Sequence, residues 1–231
     1  MKRMTFFCAL ALVASVTLAA QAAPAKTKPA NQAKPLPRVL LIGDSICIGY
    51  HKGVRKLLDH KAVVVKNPGN AQHTGTGLKK IDEWLGEGKW DVIHFNWGLW
   101  DLCRRHPDSK VYGHRDKTKG TLTTSLADYE KNLDQLVRRM KKTGAKLIFA
   151  TTTVVPEGEA GRIVGDDLKY NAAATKVMKK HGVAIDDLNA LTRTFSKDMF
   201  SKPGDVHYGK DGNALLSKQV SRSILAALNA S

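Results

Sequence analysis

Two residues far apart in the chain have the chemistry of a nucleophile and its base. Ser45 ends the run Arg38-Val-Leu-Leu-Ile-Gly-Asp-Ser45, and His207 closes Asp205-Val-His207 near the other end of the chain. Residues 39–42 form a short apolar run that reads as a buried strand. Gly43-Asp44 breaks it, and a helical pattern follows. A serine at such a strand-to-helix turn stands at the carboxyl edge of a sheet, beside the free amides of a helix start. His207 can reach it only through the fold, as a base usually reaches its nucleophile. This pairing predicts a serine esterase.

The elements that must position these residues follow from periodicity. Strands are expected at 39–42, 62–65, 91–95, 146–150 and 183–185. Helices are expected at 46–58, through Ile81 and Leu85, at 126–140, through Leu168, Tyr170 and Val177, and at 188–195 and 213–228. Residues 69–77 read as a glycine-rich loop, and 156–165 as a loop. Residues 103–124 are polar, basic and aperiodic, the kind of long loop that often carries function. Helix 126–140 presents Leu126, Tyr129, Leu133, Leu136, Val137 and Met140 on one face. Strands alternating with helices predict an α/β fold, a parallel sheet with helices on both faces. Ligands on such sheets bind at the carboxyl ends of the strands. Ser45, Gly75 and Asn96 all fall near such ends.

The 231 residues suffice for one α/β domain. Lys2 and Arg3, the apolar stretch 6–18 and Ala20-Gln21-Ala22 read as a secretory signal peptide over residues 1–22. Residues 23–37, rich in Pro, Ala and Lys, read as a disordered basic linker. The folded domain is then residues 38–231. No segment reads as transmembrane, and the protein is expected to be exported, periplasmic or secreted. The formal charge of +16 favours anionic surfaces. The charges are dispersed, with no zinc-finger spacing and no aromatic RNA-binding signature, which argues against nucleic acid. No His-Glu-x-x-His, P-loop or dinucleotide fingerprint is present, so neither metal nor cofactor is expected. Beyond the leader, Cys47 and Cys103 could pair in an oxidising compartment, since each lies two residues past a site motif.

With these motifs the chain resembles the SGNH/GDSL hydrolase superfamily, named for Ser, Gly, Asn and His in four blocks. The resemblance spans residues 38–231. It implies a flavodoxin-like three-layer α/β/α fold with a five-stranded parallel sheet. The first block stands as Gly43-Asp44-Ser45 and implies that Ser45 is the nucleophile, its amide one oxyanion donor. The stretch Asn70-Ala-Gln-His-Thr-Gly75 is similar to the family's next block, which implies Gly75 as a further donor, with Gly69 the rival placement. The third block departs from Gly-x-Asn-Asp: it reads Gly98-Leu99-Trp100-Asp101, and Asn96 becomes the candidate for a displaced donor. The fourth departs from Asp-x-x-His. Gly204 stands three before His207 and Asp205 two before, so Asp205 either completes a triad or leaves a Ser–His dyad.

Residues 97–115 carry Trp97, Trp100, Arg104, Arg105, His106, Tyr112, His114 and Arg115. Aromatics beside cations suit a sugar face with acidic groups. Trp97, Trp100 and Arg104 are the candidate substrate-binding residues. The expected substrate is an acylated small molecule or polysaccharide, anionic ones included, with short acyl groups such as acetyl. Lipid or thioester hydrolysis within the same superfamily is one alternative. A catalytically inactive carbohydrate-binding module is another. Oligomeric state is not legible.

Overall fold

The computed structural model describes Met1 and residues 35–230. The expected signal peptide and most of the basic linker lie outside the described residues. The unit from Pro35 onward is built in the order β1 (Arg38–Ile42), α1 (Ser45–Leu57), β2 (Val63–Lys66), α2 (Thr74–Leu85), β3 (Val92–Phe95), β4 (Arg104–Arg105), β5 (Thr121–Leu122), α3 (Leu126–Lys141), β6 (Lys146–Ala150), α4 (Asp166–His181), β7 (Ala184–Asp186), α5 (Leu188–Arg193) and α6 (Lys210–Asn229).

Five strands form one sheet in the order β2-β1-β3-β6-β7, every pair parallel. The chain starts in the middle, steps to β2, then crosses β1 to β3 and continues outward. Right-handed crossovers force that reversal to place α1 on one face and α2, α3 and α4 on the other. The helix packing agrees: α1 packs on α6, while α2, α3 and α4 pack in series. The expected α/β/α architecture is therefore the observed one. The reversal between β1 and β3 makes their carboxyl ends the place where such sheets form a ligand crevice, and Ser45 follows β1 there.

The central strands read as continuous apolar runs because both faces are covered. Val39, Leu40, Leu41 and Ile42 are buried, as are Val92, Ile93 and Phe95. Helix α1 buries Ile46, Cys47, Tyr50 and Val54 at helical spacing, and α3 buries Tyr129, Leu133, Leu136, Val137 and Met140. Leu126, expected on that face, is exposed at the first position of α3, before the helix meets its neighbours.

The loop expected at 69–77 is shorter than the sequence suggested, since α2 already begins at Thr74. Its cap comes from far away. Asp101 Oδ1 accepts the Thr74 amide at 2.9 Å and the Thr74 hydroxyl at 2.6 Å. Gly77 inside this helix meets a packing need, because a Cβ there would lie 2.7 Å from the Trp97 ring. The aperiodic segment 103–124 contains the small antiparallel pair β4–β5 and a 3₁₀ turn at Tyr112–His114. No helix among the described residues is long and apolar enough to cross a membrane.

Candidate active site

The turn carrying Ser45 is held from three sides. Asp44 caps α1, its Oδ1 accepting the Ile46 amide at 2.9 Å, which satisfies one of the orphan donors of the helix start. Asn67, at the end of β2, accepts the Gly43 amide at 3.1 Å. The Ala71 amide donates to the Gly43 carbonyl at 3.1 Å. Ser45 is thus the first residue of α1, where the helix dipole and free amides favour negative charge. Its own amide makes no hydrogen bond among the described residues.

His207 comes to Ser45 from the segment before α6. Its Nε2 lies 2.8 Å from Ser45 Oγ. Its Nδ1 lies 2.6 Å from Asp205 Oδ1, and the same oxygen accepts the His207 backbone amide at 3.1 Å. Asp205 therefore reaches the distal ring nitrogen although it stands only two residues before the histidine. Burial works to raise the Asp205 carboxyl. The amide and ring of His207 and the charge of Arg115 outweigh it, and the group is held below the usual carboxylate range. Burial pushes the neighbouring Asp44 carboxyl up, against the Ile46 amide and the charges of Arg162 and His207.

The other expected site residues are not all brought to this point. The Asn96 side-chain amide donates to the Ala150 carbonyl at 2.7 Å, and the residue borders a small closed void with Ile46, Cys47, Tyr50, Thr151, Thr153 and Leu188. The reading of Asn96 as an oxyanion donor is corrected: it ties β3 to β6 beneath α1. Trp97 is corrected too. It is fully buried, stacked on Trp84, with its indole N–H donating to the Ala71 carbonyl at 3.3 Å. Alternation along the strand end puts it into the α2–α3 layer, where no substrate can touch it. Gly75 lies in the first turn of α2 with its amide unpaired among the described residues and the His73 ring packed against it.

Trp100 is half-buried, and the Arg105 guanidinium lies 4.2 Å from its ring centroid, a cation–π contact. Arg104 sits on β4 and pairs with Asp166 at 3.3 Å. Cys47 and Cys103 are both buried and unbonded, so the expected disulfide is corrected. Cys47 packs on Gly43 within α1, whereas Cys103 packs on Gly161.

Sequence reasoning missed Asn67, Glu159 and Arg162. Asn67 was visible only as part of a strand-ending Asn-Pro-Gly. Glu159 and Arg162 sit in an aperiodic loop, and nothing local marks them as buried. Among the described residues, no His, Cys, Asp and Glu cluster is arranged to hold a metal ion.

No protein-family model and no curated protein sequence matches the chain. Solved structures do match. A lipase/acylhydrolase from Enterococcus faecalis superposes with a TM-score of 0.67 at 19% identity, covering 83% of this chain and 96% of that one. An acetylxylan esterase from Geobacillus stearothermophilus, solved as a catalytic mutant, gives 0.63 at 16%, covering 84% and 95%. A GDSL-like lipase from Bacteroides thetaiotaomicron gives 0.59 at 14%, covering 82% and 88%. From Pro35 onward, the chain carries the fold of the SGNH hydrolases.

Proposed function

We propose that the protein is an SGNH-type serine esterase that hydrolyses short-chain esters, acetyl esters of carbohydrate foremost. The observation that carries this reading is the continuous chain Ser45 Oγ to His207 Nε2 at 2.8 Å and His207 Nδ1 to Asp205 Oδ1 at 2.6 Å. Fold likeness to an acetylxylan esterase supports the acyl and sugar classes.

The geometry suits two-step acyl transfer. His207 Nε2 takes the Ser45 proton as Oγ attacks the ester carbonyl carbon. The carbonyl oxygen becomes an oxyanion at the α1 N-terminus, where the free Ser45 amide donates to it. Gly75 is the second donor in this reading. Asp205 holds the proton on Nδ1 and stabilises the imidazolium. The intermediate collapses, the C–O bond to the alcohol breaks, and His207 returns the proton to the leaving oxygen. Water, deprotonated by His207, then attacks the acyl-Ser45 ester and releases the carboxylic acid. Trp100 with its stacked Arg105 offers an aromatic and cationic surface suited to a sugar bearing acidic groups, with Arg104, held by Asp166, next to Arg105 in the chain. Residues 1–22 act in this reading as an export signal, which puts the enzyme in the periplasm or outside the cell.

The test is turnover of p-nitrophenyl acetate, butyrate and octanoate by residues 35–231, with Ser45→Ala alongside. Ser45-dependent turnover that falls with chain length is expected. Equal turnover by the alanine variant, or none by either protein on any ester, overturns the reading. A preference for octanoate replaces acetyl carbohydrate with lipid or thioester as the substrate class.

A further inference from the structure

The loop between β6 and α4 enters the site without supplying a reacting atom. Glu159, on this loop, is completely buried and accepts four hydrogen bonds. Two come from the backbone amides of Gly161 and Arg162, the first at 2.6 Å. The other two come from Arg162 Nη1 and Arg115 Nη1, each at 2.7 Å. Each arginine also donates through Nε to a carbonyl, Arg162 to Leu99 at 2.7 Å and Arg115 to Tyr112 at 3.1 Å.

One carboxylate thus joins three loops of the crevice: the loop after β3, the insertion after Cys103, and its own. Through Gly158, which backs onto Gly204, the same loop touches the segment carrying Asp205 and His207. The arrangement is costly to bury. Removing one partner of such a group leaves an uncompensated charge, whereas apolar packing could hold the loops without that risk. Surface loops also rarely need a fully buried ion pair merely to be tied down. A planar guanidinium bridging two acceptors fixes direction as well as distance, which is what a reaction centre needs from its supports. The arginine charges also favour the ionised form of the site's acids, Arg162 for Asp44 and Arg115 for Asp205.

We propose that Glu159, Arg162 and Arg115 are positioning residues that hold the crevice loops in the arrangement in which Ser45 and His207 react. They act through the loops and do not touch the acyl group. This inference rests on the esterase reading.

The experiment compares the wild-type chain with Glu159→Gln, Arg162→Lys, Arg115→Met and Arg115→Lys. Three quantities are read: kcat and KM on p-nitrophenyl acetate, the rate at which a small fluorophosphonate labels Ser45, and the melting temperature. Arg162→Lys and Glu159→Gln are expected to lose about 10–100-fold in kcat and in labelling rate while folded, with KM within about twofold. Arg115→Met follows at about tenfold, and Arg115→Lys, which keeps the charge beside Glu159 but loses the bridge to the Tyr112 carbonyl, recovers part of the loss. Because Arg115 is the more exposed of the two arginines, its two variants decide the matter if a substitution at Glu159 or Arg162 fails to fold. Folded variants with wild-type kcat and labelling overturn the proposal while leaving the esterase reading intact. So does a rise in KM alone, which would make these residues substrate contacts. A wild-type protein whose Ser45 is not labelled overturns both.

Discussion

Gly204 and Gly158 meet backbone to backbone: a Cβ on Gly204 would lie 2.9 Å from the Gly158 carbonyl oxygen. Gly204 also has φ +69°, in the left-handed region. Two loops of the site therefore close on each other where SGNH hydrolases usually place the triad's acid. No side chain fits there, and the carboxylate that meets the His207 ring stands one residue later, at Asp205. Restoring the usual spacing with Gly204→Asp is expected to abolish activity and to destabilise by about 2–4 kcal/mol. Chemical denaturation and p-nitrophenyl acetate turnover check it, and an active, stable Gly204→Asp protein would contradict it.

Asp205 receives the His207 ring and amide on a single oxygen. Asp205→Asn is expected to lower kcat by about 10²–10⁴ with little change in KM, because the asparagine favours the wrong tautomer of the ring. The carboxyl of Asp205 is held below its ordinary value. The stability it contributes is therefore present above the unfolded carboxylate pKa and lost as pH falls through its lower folded pKa. Melting temperatures of wild type and Asp205→Asn should converge at the acid end and diverge above about pH 5.

Trp97 and Trp100 are three residues apart and should behave differently. Trp97→Ala removes a fully buried ring and is expected to cost about 3–5 kcal/mol. Trp100→Ala is expected to leave the fold within about 1 kcal/mol of wild type and to raise KM for an acetylated oligosaccharide, since only a half-buried ring under Arg105 is lost. Denaturation curves and steady-state kinetics of the two variants separate these outcomes.

Burial pushes the Asp101 carboxyl up to about 7, against the hydrogen bonds from Thr74. A raised folded pKa means that its stabilising contribution is full below the unfolded value near 4 and is lost as pH rises through about 7. Over that window the folded state binds the extra proton, giving a slope of up to about −1.4 kcal/mol per pH unit. Asp101→Asn is expected to flatten the dependence, because its carbonyl still caps α2 without a titrating proton. Stability measured from about pH 4 to pH 8 would refute this if both proteins showed the same slope.

Cys47 is buried and its thiol is pushed up to about 12 by that burial. Neither Cys47 nor Cys103 should react with a thiol reagent in the native protein at about pH 8. Both should react after denaturation without reductant. Failure of the denatured protein to react would indicate that the two are bonded after all.

Much of this molecule is legible from local pattern. Apolar runs at 39–42 and 146–150, and the helical spacing in α1 and α3, set the layered sheet because buried faces must recur at the period of their element. Gly43-Asp44-Ser45 after such a run and His207 near the chain's end single out the two side chains that the fold brings to 2.8 Å, because few positions in an α/β sheet expose a serine beside helix amides. What tertiary structure decided concerns direction and partners. Trp97 and Trp100 are alike as residue types, and only the turn after β3 sends one into the core and leaves the other at the rim. By position Asn96 is a candidate donor, but the adjacent strand supplies the Ala150 carbonyl that takes its amide. Asp205 reaches His207 in a segment that turns at Gly204, where it backs onto Gly158. Glu159 is a buried hub only because Arg115, 44 residues earlier, folds back to it. Period and composition are properties of neighbours along the chain, whereas hydrogen-bond partners and burial are set by segments that meet only after folding.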